Sequence, residues 1–482
     1  MEKKELFSNA DLKRLIIPLI LEQALTIMVG MADIMMVSSA GEAAISGVSL
    51  IDMVNNLVIS ILAALATGGA VVTSQLLGAK RKEEACRSAV QLILSSLLIT
   101  TVVSVLVILL NGPIIRLFFG SIDEEVFRNA RIYFIISAFS YPFLSIYNSE
   151  AAMFRAMNDS AVTFRTSVVM NIINVIGNAI GIYVLHAGVA GVAVPSLISR
   201  AVAAVILYIR LRDQSLEIHL PKEMIRSANR TDRNELKFVP KRTICKQIGA
   251  DREMIRYDRA LIRRMFYIGI PSGIENGIFQ LGRVIVVSII SGFGTVQIAA
   301  NGVANSLDSV GCISGQAMNL AFITVIGRCV GAGDEKQVRF YTKKMMMIAY
   351  VLQAICCGFT LTTLVPVLSL YGLSPETQEL SRILVTMHNG FAILLWPLSF
   401  TFPNMLRACN DVRFTMGISV FSMWTFRIGL SILIAVHMGY GAIGVWIAMI
   451  VDWVFRSVCF IVRYAHGKWR VLAGLERRSE TV

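Results

Sequence analysis

The stretch "MFRAMND" at residues 153–159 returns as "MLRACND" at 405–411, with five of seven positions kept at a shift of 252. Alone, such a match carries little. Further landmarks obey almost the same shift: Pro18 with Pro271, Glu22 with Glu275, Gly78 with Gly331, and Gly191-Val192 with Gly444-Val445 are each 253 residues apart. A near-constant offset over most of the chain means an internal duplication. In membrane transporters, repeats of this kind place a binding site between two bundles that rock against each other.

Composition sets the environment in which the repeat folds. Of the 482 residues, 55% are hydrophobic and 16% charged, with a mean hydropathy of +0.66; soluble domains carry roughly 25% charge. Runs such as 88–110, 166–185 and 345–370 hold no Asp, Glu, Lys or Arg. In lipid only helices and closed barrels satisfy their own backbone, and apolar runs of about 20 residues mean helices.

The pattern predicts twelve spans, at 12–38, 44–77, 88–110, 127–152, 161–185, 188–210, 262–290, 297–327, 340–370, 380–405, 413–437 and 441–463. The expected fold is an all-α polytopic membrane protein, with twelve transmembrane helices in two homologous six-helix bundles around a central cavity. Residues 1–212 form the first bundle, 213–260 a basic linker, and 261–482 the second bundle with its tail. Six is even, so both halves have the same orientation. The last part of the linker, "DREMIRYDRALIRR", reads as a tether or as a short helix on the membrane surface.

The net charge of +13 does not point to nucleic acid, because of where it sits. With those at the ends of spans counted to the adjoining side, 37 of the 45 Lys and Arg fall on the N-terminal side of the membrane, 4 on the opposite side and 4 in the interior of spans. That asymmetry puts both termini and the linker in the cytoplasm. A multi-pass protein of a bacterial inner membrane is expected, in contact with lipid and without a nucleic-acid partner. The N-terminal segment reads as retained, since it lacks a small-residue cleavage site. The eight cysteines form no CxxC, so neither disulfides nor a structural metal site is expected.

Charges inside spans are costly and mark function by default. In "GMADIMMVSSAG", residues 30–41, Asp33 is an acid within an apolar run. Counting along the helix puts it ~28 Å from Arg14, in the outer half of the first span. Asn171, Asn174 and Asn178 recur at three and four residues and line one face of the fifth span. Pro18 is a candidate hinge or a tolerated helix-start proline. The second half carries Glu275, Arg283, Asp308, Arg427, Asp452 and Arg456. These read first as a pairing network, with Asp452 and Arg456 a local pair, and otherwise as an ion- or substrate-contacting set through Glu275 or Asp308.

The ordered set of motifs resembles the multidrug and toxic compound extrusion (MATE) family. The pieces are "PLILEQALTIMVGMADIMMVSSAG", "TSQLLGAKRKEEA", "FRAMND", "NIINVIGNAIGIY", "GVAGVAVPSLIS", "IGIPSGIENGIFQLG" and "GQAMNLAFITVIGRCVGAGD". They cover nearly the whole chain outside 213–260. The resemblance implies a V-shaped central cavity and export of small organic, mostly cationic compounds by antiport with H⁺ or Na⁺. The coupling-ion site it implies is Asp33, Asn174, Asn178 and Ser196, with Na⁺ at Asp33, Asn174 and Asn178 where that is the ion; H⁺ or Na⁺ replaces any organic cofactor. Position 178 is often Asp in that branch and is Asn here, which removes one of two carboxylates. The family's second-half ion site does not carry over, because the acid expected eight residues after Pro271 is Phe279.

Two other functions stay open at this level. A flippase for lipid-linked saccharides would want several basic residues in the cavity, whereas the first bundle has only Arg200 in the interior of its spans, away from their ends. A polytopic membrane enzyme would need a polar constellation at one face, and no HxxxD or metal-ligand cluster is present. The reading is therefore a transporter rather than an enzyme. Two bundles around a cavity can work as a monomer.

Overall fold

The computed structural model describes residues 5–39, 41–120, 122–221 and 257–476. The first half supplies α1 (Asn9–Ser38), α2 (Glu42–Gly78), α3 (Lys82–Phe119), α4 (Glu124–Ala156), α5 (Ser160–Val184) and α6 (Ala190–Leu211). The second supplies α7 (Arg259–Ser291), α8 (Thr295–Gly311), α9 (Ile313–Gly331), α10 (Glu335–Leu370), α11 (Pro375–Ala408), α12 (Val412–His437) and α13 (Gly441–His466), then the short α14 (Lys468–Leu472). Eleven helices among the described residues are long and apolar enough to cross a membrane. The helix α4 runs the length of the predicted fourth span but carries Arg128, Arg131, Glu150 and Arg155, and α8 is too short by itself. The basic linker lies mostly outside the described residues. Of "DREMIRYDRALIRR", the part from Arg259 onward is the start of α7 rather than a separate surface helix.

Local chemistry starts and stops these helices. Ser8 and Asp11 form a reciprocal capping box on α1, while Asp123, Asp258 and Asp334 cap α4, α7 and α10 with carboxylates facing backbone N–H groups. The turns repeat with the sequence. Positive φ recurs at Gly41 and Gly294 (106° and 95°), Lys80 and Gly333 (60° and 69°), Gly120 and Gly372 (66° and 61°), Asn158 and Asn410 (67° and 66°), and Gly188 and Gly441 (56° and 55°). Each pair is 252 or 253 residues apart, so "ND" in the repeated heptapeptide is a shared left-handed helix stop.

One predicted span is not a single helix. The stretch 297–327 breaks at Cys312 (φ −95°, ψ 0°), between α8 and α9. There Gln353 Nε2 donates to the Gly311 carbonyl at 3.0 Å, and Asn389 sits where a side chain on Gly311 would be. By contrast α1 runs through Pro18 as one helix.

The two halves are not packed as separate bodies. Leu12, Leu15, Ile16 and Leu19 of α1 lie in one core with Phe322, Val325, Met345 and Leu406 of the second half. Reciprocally, Leu261, Met265 and Ile268 of α7 lie in the core of the first half with Val72, Leu76 and Phe154. Close approach is allowed by glycine. A Cβ on Gly78 of α2 would overlap the Arg328 carbonyl of α9, and one on Gly331 of α9 would overlap the Gln75 carbonyl of α2.

Candidate functional site

The residues carried over from the family resemblance meet in the first half. Asn178 Nδ2 donates to Asp33 Oδ1 at 2.7 Å and lies 3.3 Å from Asn174 Oδ1, and Asn174 Nδ2 donates to Ser196 Oγ at 2.8 Å. A chain of polar side chains therefore crosses from α1 through α5 to α6. It forms because 174 and 178 share a face of α5 and because α5 and α6 can nearly touch. Gly181 and Gly191 leave no room for a Cβ on either, and Gly177 lies against Pro195. Directly after Asn178, α5 widens into a π-helical turn at Ile180–Val184, a local irregularity common at functional positions. Asn171, one turn earlier, donates instead to Ser167 Oγ at 3.2 Å and stands beside the chain rather than in it.

Two charged groups not weighed with Asp33 act on it electrostatically: Asp52 of α2 and Arg200 of α6. Tyr133 donates its hydroxyl to Asp52 Oδ1 at 2.9 Å, and Arg200 donates to Ser140 Oγ at 2.6 Å. Asp52 was visible by the same signal as Asp33, an acid ten residues into an apolar helix. Glu150 of α4 is fully buried, and neither of its carboxyl oxygens has a partner among the described residues.

The second half forms a chamber of about 520 Å³, bordered also by Gln23, Ile27 and Ser60 of the first half. Glu275, Asp308, Arg283 and Arg427 all line it, but they do not pair as expected. Glu275 Oε1 is 2.7 Å from Arg407 and 3.7 Å from Arg456, and accepts from Ser419 Oγ at 2.6 Å. Asp308 accepts from Asn389 Nδ2 at 2.7 Å and lies 3.1 Å from His388 Nδ1. Arg427 is 3.8 Å from Asp452, so the expected local pair of Asp452 and Arg456 is replaced by two contacts between helices. An α-helical i,i+4 spacing allows such a pair, but Arg456 turns to Glu275 and lies 4.6 Å from the Phe400 ring. Arg407 and His388 were missed because one sits in the turn motif and the other is one of five scattered histidines.

With the geometry in view, the profile of the MatE family matches residues 18–180 and 271–433, two segments at the same 253-residue shift as the landmarks. The chain belongs to the MatE family. It is a multi-pass membrane protein of a transporter family, not of an enzyme family. The chain is 24% identical over 462 residues to "Uncharacterized transporter YisQ" of Bacillus subtilis, covering 94% of this chain and 93% of the relative. It is also 24% identical over 472 residues to "Probable multidrug resistance protein NorM" of Thermotoga maritima, covering 97% and 94%. Among solved structures, an outward-facing multidrug resistance MATE family transporter superposes with a TM-score of 0.80 at 19% identity, covering 97% of this chain and 96% of that one. This MatE-family chain thus shares the fold of that transporter over nearly its whole length.

Proposed function

We propose that this MatE-family protein is a secondary antiporter that exports small organic compounds, cationic ones foremost, in exchange for H⁺ or Na⁺ taken up at Asp33. The observation that carries this reading is the connected chain Asp33, Asn178, Asn174 and Ser196, a carboxylate with amide and hydroxyl oxygens gathered inside a membrane-spanning bundle. A carboxylate there can take a proton, and the amide carbonyls and the Ser196 hydroxyl are hard oxygen donors suited to Na⁺. Asn178 Oδ1 is buried with no partner among the described residues, so one oxygen is free to turn to an ion. Asn174 and Ser196 would serve as ligands and Asn171 as support from the turn below.

The end of the molecule carrying most Lys and Arg is taken as cytoplasmic. At that end polar bonds cross between halves: Gln75 Nε2 donates to the Ala408 carbonyl at 2.8 Å, and Arg328 donates to the Ala156 carbonyl at 2.8 Å and to Glu217 at 2.7 Å. This is the arrangement of a state closed to the cytoplasm. In it, Asp33 takes up the coupling ion from outside, cargo is released, and the halves rock to release the ion inside. Moving one positive charge out against ~100 mV costs about 2.3 kcal/mol, which one entering proton returns. A one-for-one exchange is then driven by the pH difference, at about 1.4 kcal/mol per unit.

The test is efflux of a fluorescent organic cation from vesicles with imposed pH or Na⁺ gradients, comparing wild type with Asp33→Asn at equal protein amount. Gradient-driven efflux in the wild type and its loss in the variant are expected. Equal efflux from both would remove Asp33 from the mechanism.

A further inference from the structure

The charge in the second-half chamber has the wrong sign for a cation. Four guanidinium groups line it, those of Arg283, Arg407, Arg427 and Arg456, against the two carboxylates of Glu275 and Asp308. Asp452 is a third acid behind Arg427. One positive charge is therefore in excess, before any charge on His388 is counted.

Each carboxylate is engaged through one oxygen, Glu275 Oε1 by Arg407, Arg456 and Ser419 and Asp308 Oδ1 by Asn389 and His388, while Glu275 Oε2 and Asp308 Oδ2 have no partner among the described residues. Arg427 faces Asp452 only at 3.8 Å, reaches the Met449 sulfur at 3.2 Å, and has a buried Nε with no partner among the described residues. Arg456, 3% exposed, likewise has an unpartnered Nε. Arg283 forms no ion pair among the described residues, and it is exposed at the chamber wall, on the α7 face that also presents Asn276, Phe279 and Gln280.

A guanidinium kept in a membrane interior without a carboxylate is costly, and its planar fork matches carboxylate and sulfonate oxygens. Rings stand beside it. Trp396 and Phe400 are 5.0 Å apart in a tilted pair, and Trp446 and Trp453 flank His388. A volume of about 520 Å³ suits a small organic molecule.

We propose that this chamber binds an aromatic organic monoanion, its carboxylate or sulfonate held by Arg283 and Arg427 and its ring among Trp396, Phe400 and Trp446. Binding needs no assumption about export. Only the anion's fate as cargo rests on the antiporter reading. Repulsion by the excess positive charge sets this chamber apart from the Asp33 chain and rejects organic cations.

The experiment uses the full chain in phosphatidylcholine nanodiscs and reads tryptophan fluorescence, since three of the five tryptophans line the chamber. The probe is 4-nitrobenzoate, a quencher, titrated beside the matching cation 4-nitrobenzyltrimethylammonium. Saturable quenching by the anion alone is expected, with at least tenfold weaker binding in Arg283→Gln and partial recovery in Arg283→Lys. Arg283 has no ion-pair partner among the described residues, so these variants are expected to keep the wild-type melting temperature. Equal binding of the cation, or an unchanged anion affinity in Arg283→Gln, would overturn the assignment. Displacement of the probe by phosphatidylglycerol added to the nanodiscs would also overturn it, in favour of a lipid headgroup. In Asp33→Asn the same titration is expected to match wild type, so a failure of ion-driven export and a failure of anion binding are separate results.

Discussion

Arg407 lies 2.7 Å from Glu275 in the second half, as Arg155 lies 3.8 Å from Glu22 in the first. The two ends of this repeated ion pair are the arginine of the repeated heptapeptide and the acid four residues after the repeated proline. Glu275 is buried and also faces Arg456. Removing one partner of a buried pair leaves the other charge uncompensated, at a cost of about 3–5 kcal/mol. Glu275→Gln is therefore expected to lower the midpoint of thermal unfolding in detergent well beyond what exposed Glu379→Gln does. A midpoint equal to wild type would mean that the arginines find another counter-charge.

Asn178 is the sole amide donor to Asp33 among the hydrogen bonds of the described residues. A hydrogen bond to a charged group contributes about 1.5–3 kcal/mol, and 1.4 kcal/mol is tenfold in an equilibrium constant. That bond favours the ionised carboxylate, so with H⁺ as the coupling ion Asn178→Leu is expected to lower the proton concentration needed for half-maximal efflux by roughly ten- to a hundredfold, whereas with Na⁺ the lost amide oxygen raises the Na⁺ concentration needed. The amount of folded protein is expected to stay unchanged. Ion dependence indistinguishable from wild type would place the coupling site elsewhere.

Gly78 and Gly331 each meet the partner half's backbone at the end taken as cytoplasmic. Adding a branched side chain where only backbone fits forces the helices apart, at a typical cost of 1–3 kcal/mol for overpacking. Gly78→Leu and Gly331→Leu are expected to make a cysteine placed at Ser74 more reactive toward a membrane-impermeant maleimide from that side. Unchanged labelling would show that the contact gives way without opening the seal.

Glu150 is buried with both carboxyl oxygens unpartnered among the described residues. An orphaned buried polar group costs about 1–3 kcal/mol, and an apolar replacement of similar shape removes that cost. Glu150→Met is expected to raise the thermal midpoint. If the midpoint rises and efflux is lost, Glu150 carries protons; if the midpoint falls, it has a partner that only the membrane or water supplies.

Much of the architecture was present in the one-dimensional pattern. Apolar length fixes a spanning helix because the backbone must satisfy itself in lipid, and the 253-residue shift fixes two like-oriented halves because equivalent residues stop equivalent helices, as Asn158 and Asn410 do. Asp33 stood out because a lone acid in an apolar run is costly. The face of α5 bearing Asn174 and Asn178 followed from helical periodicity.

What the sequence could not state is which helix faces which. Side chains on different helices meet according to crossings that have no local signature. Hence Arg456 turned to Glu275 rather than to Asp452, four residues away on its own helix, and His388 came to Asp308 from another helix. The same holds for α1 and α7, whose first turns pack in the opposite half's core, and for the break at Cys312, set by Gln353 and Asn389 from α10 and α11. The sequence by itself determined that the chain folds as membrane-spanning helices in two repeated halves and where charge had to be hidden from lipid. Only the tertiary structure decided which charges neutralise one another and left Arg283 facing an open chamber, because that depends on distances between segments hundreds of residues apart.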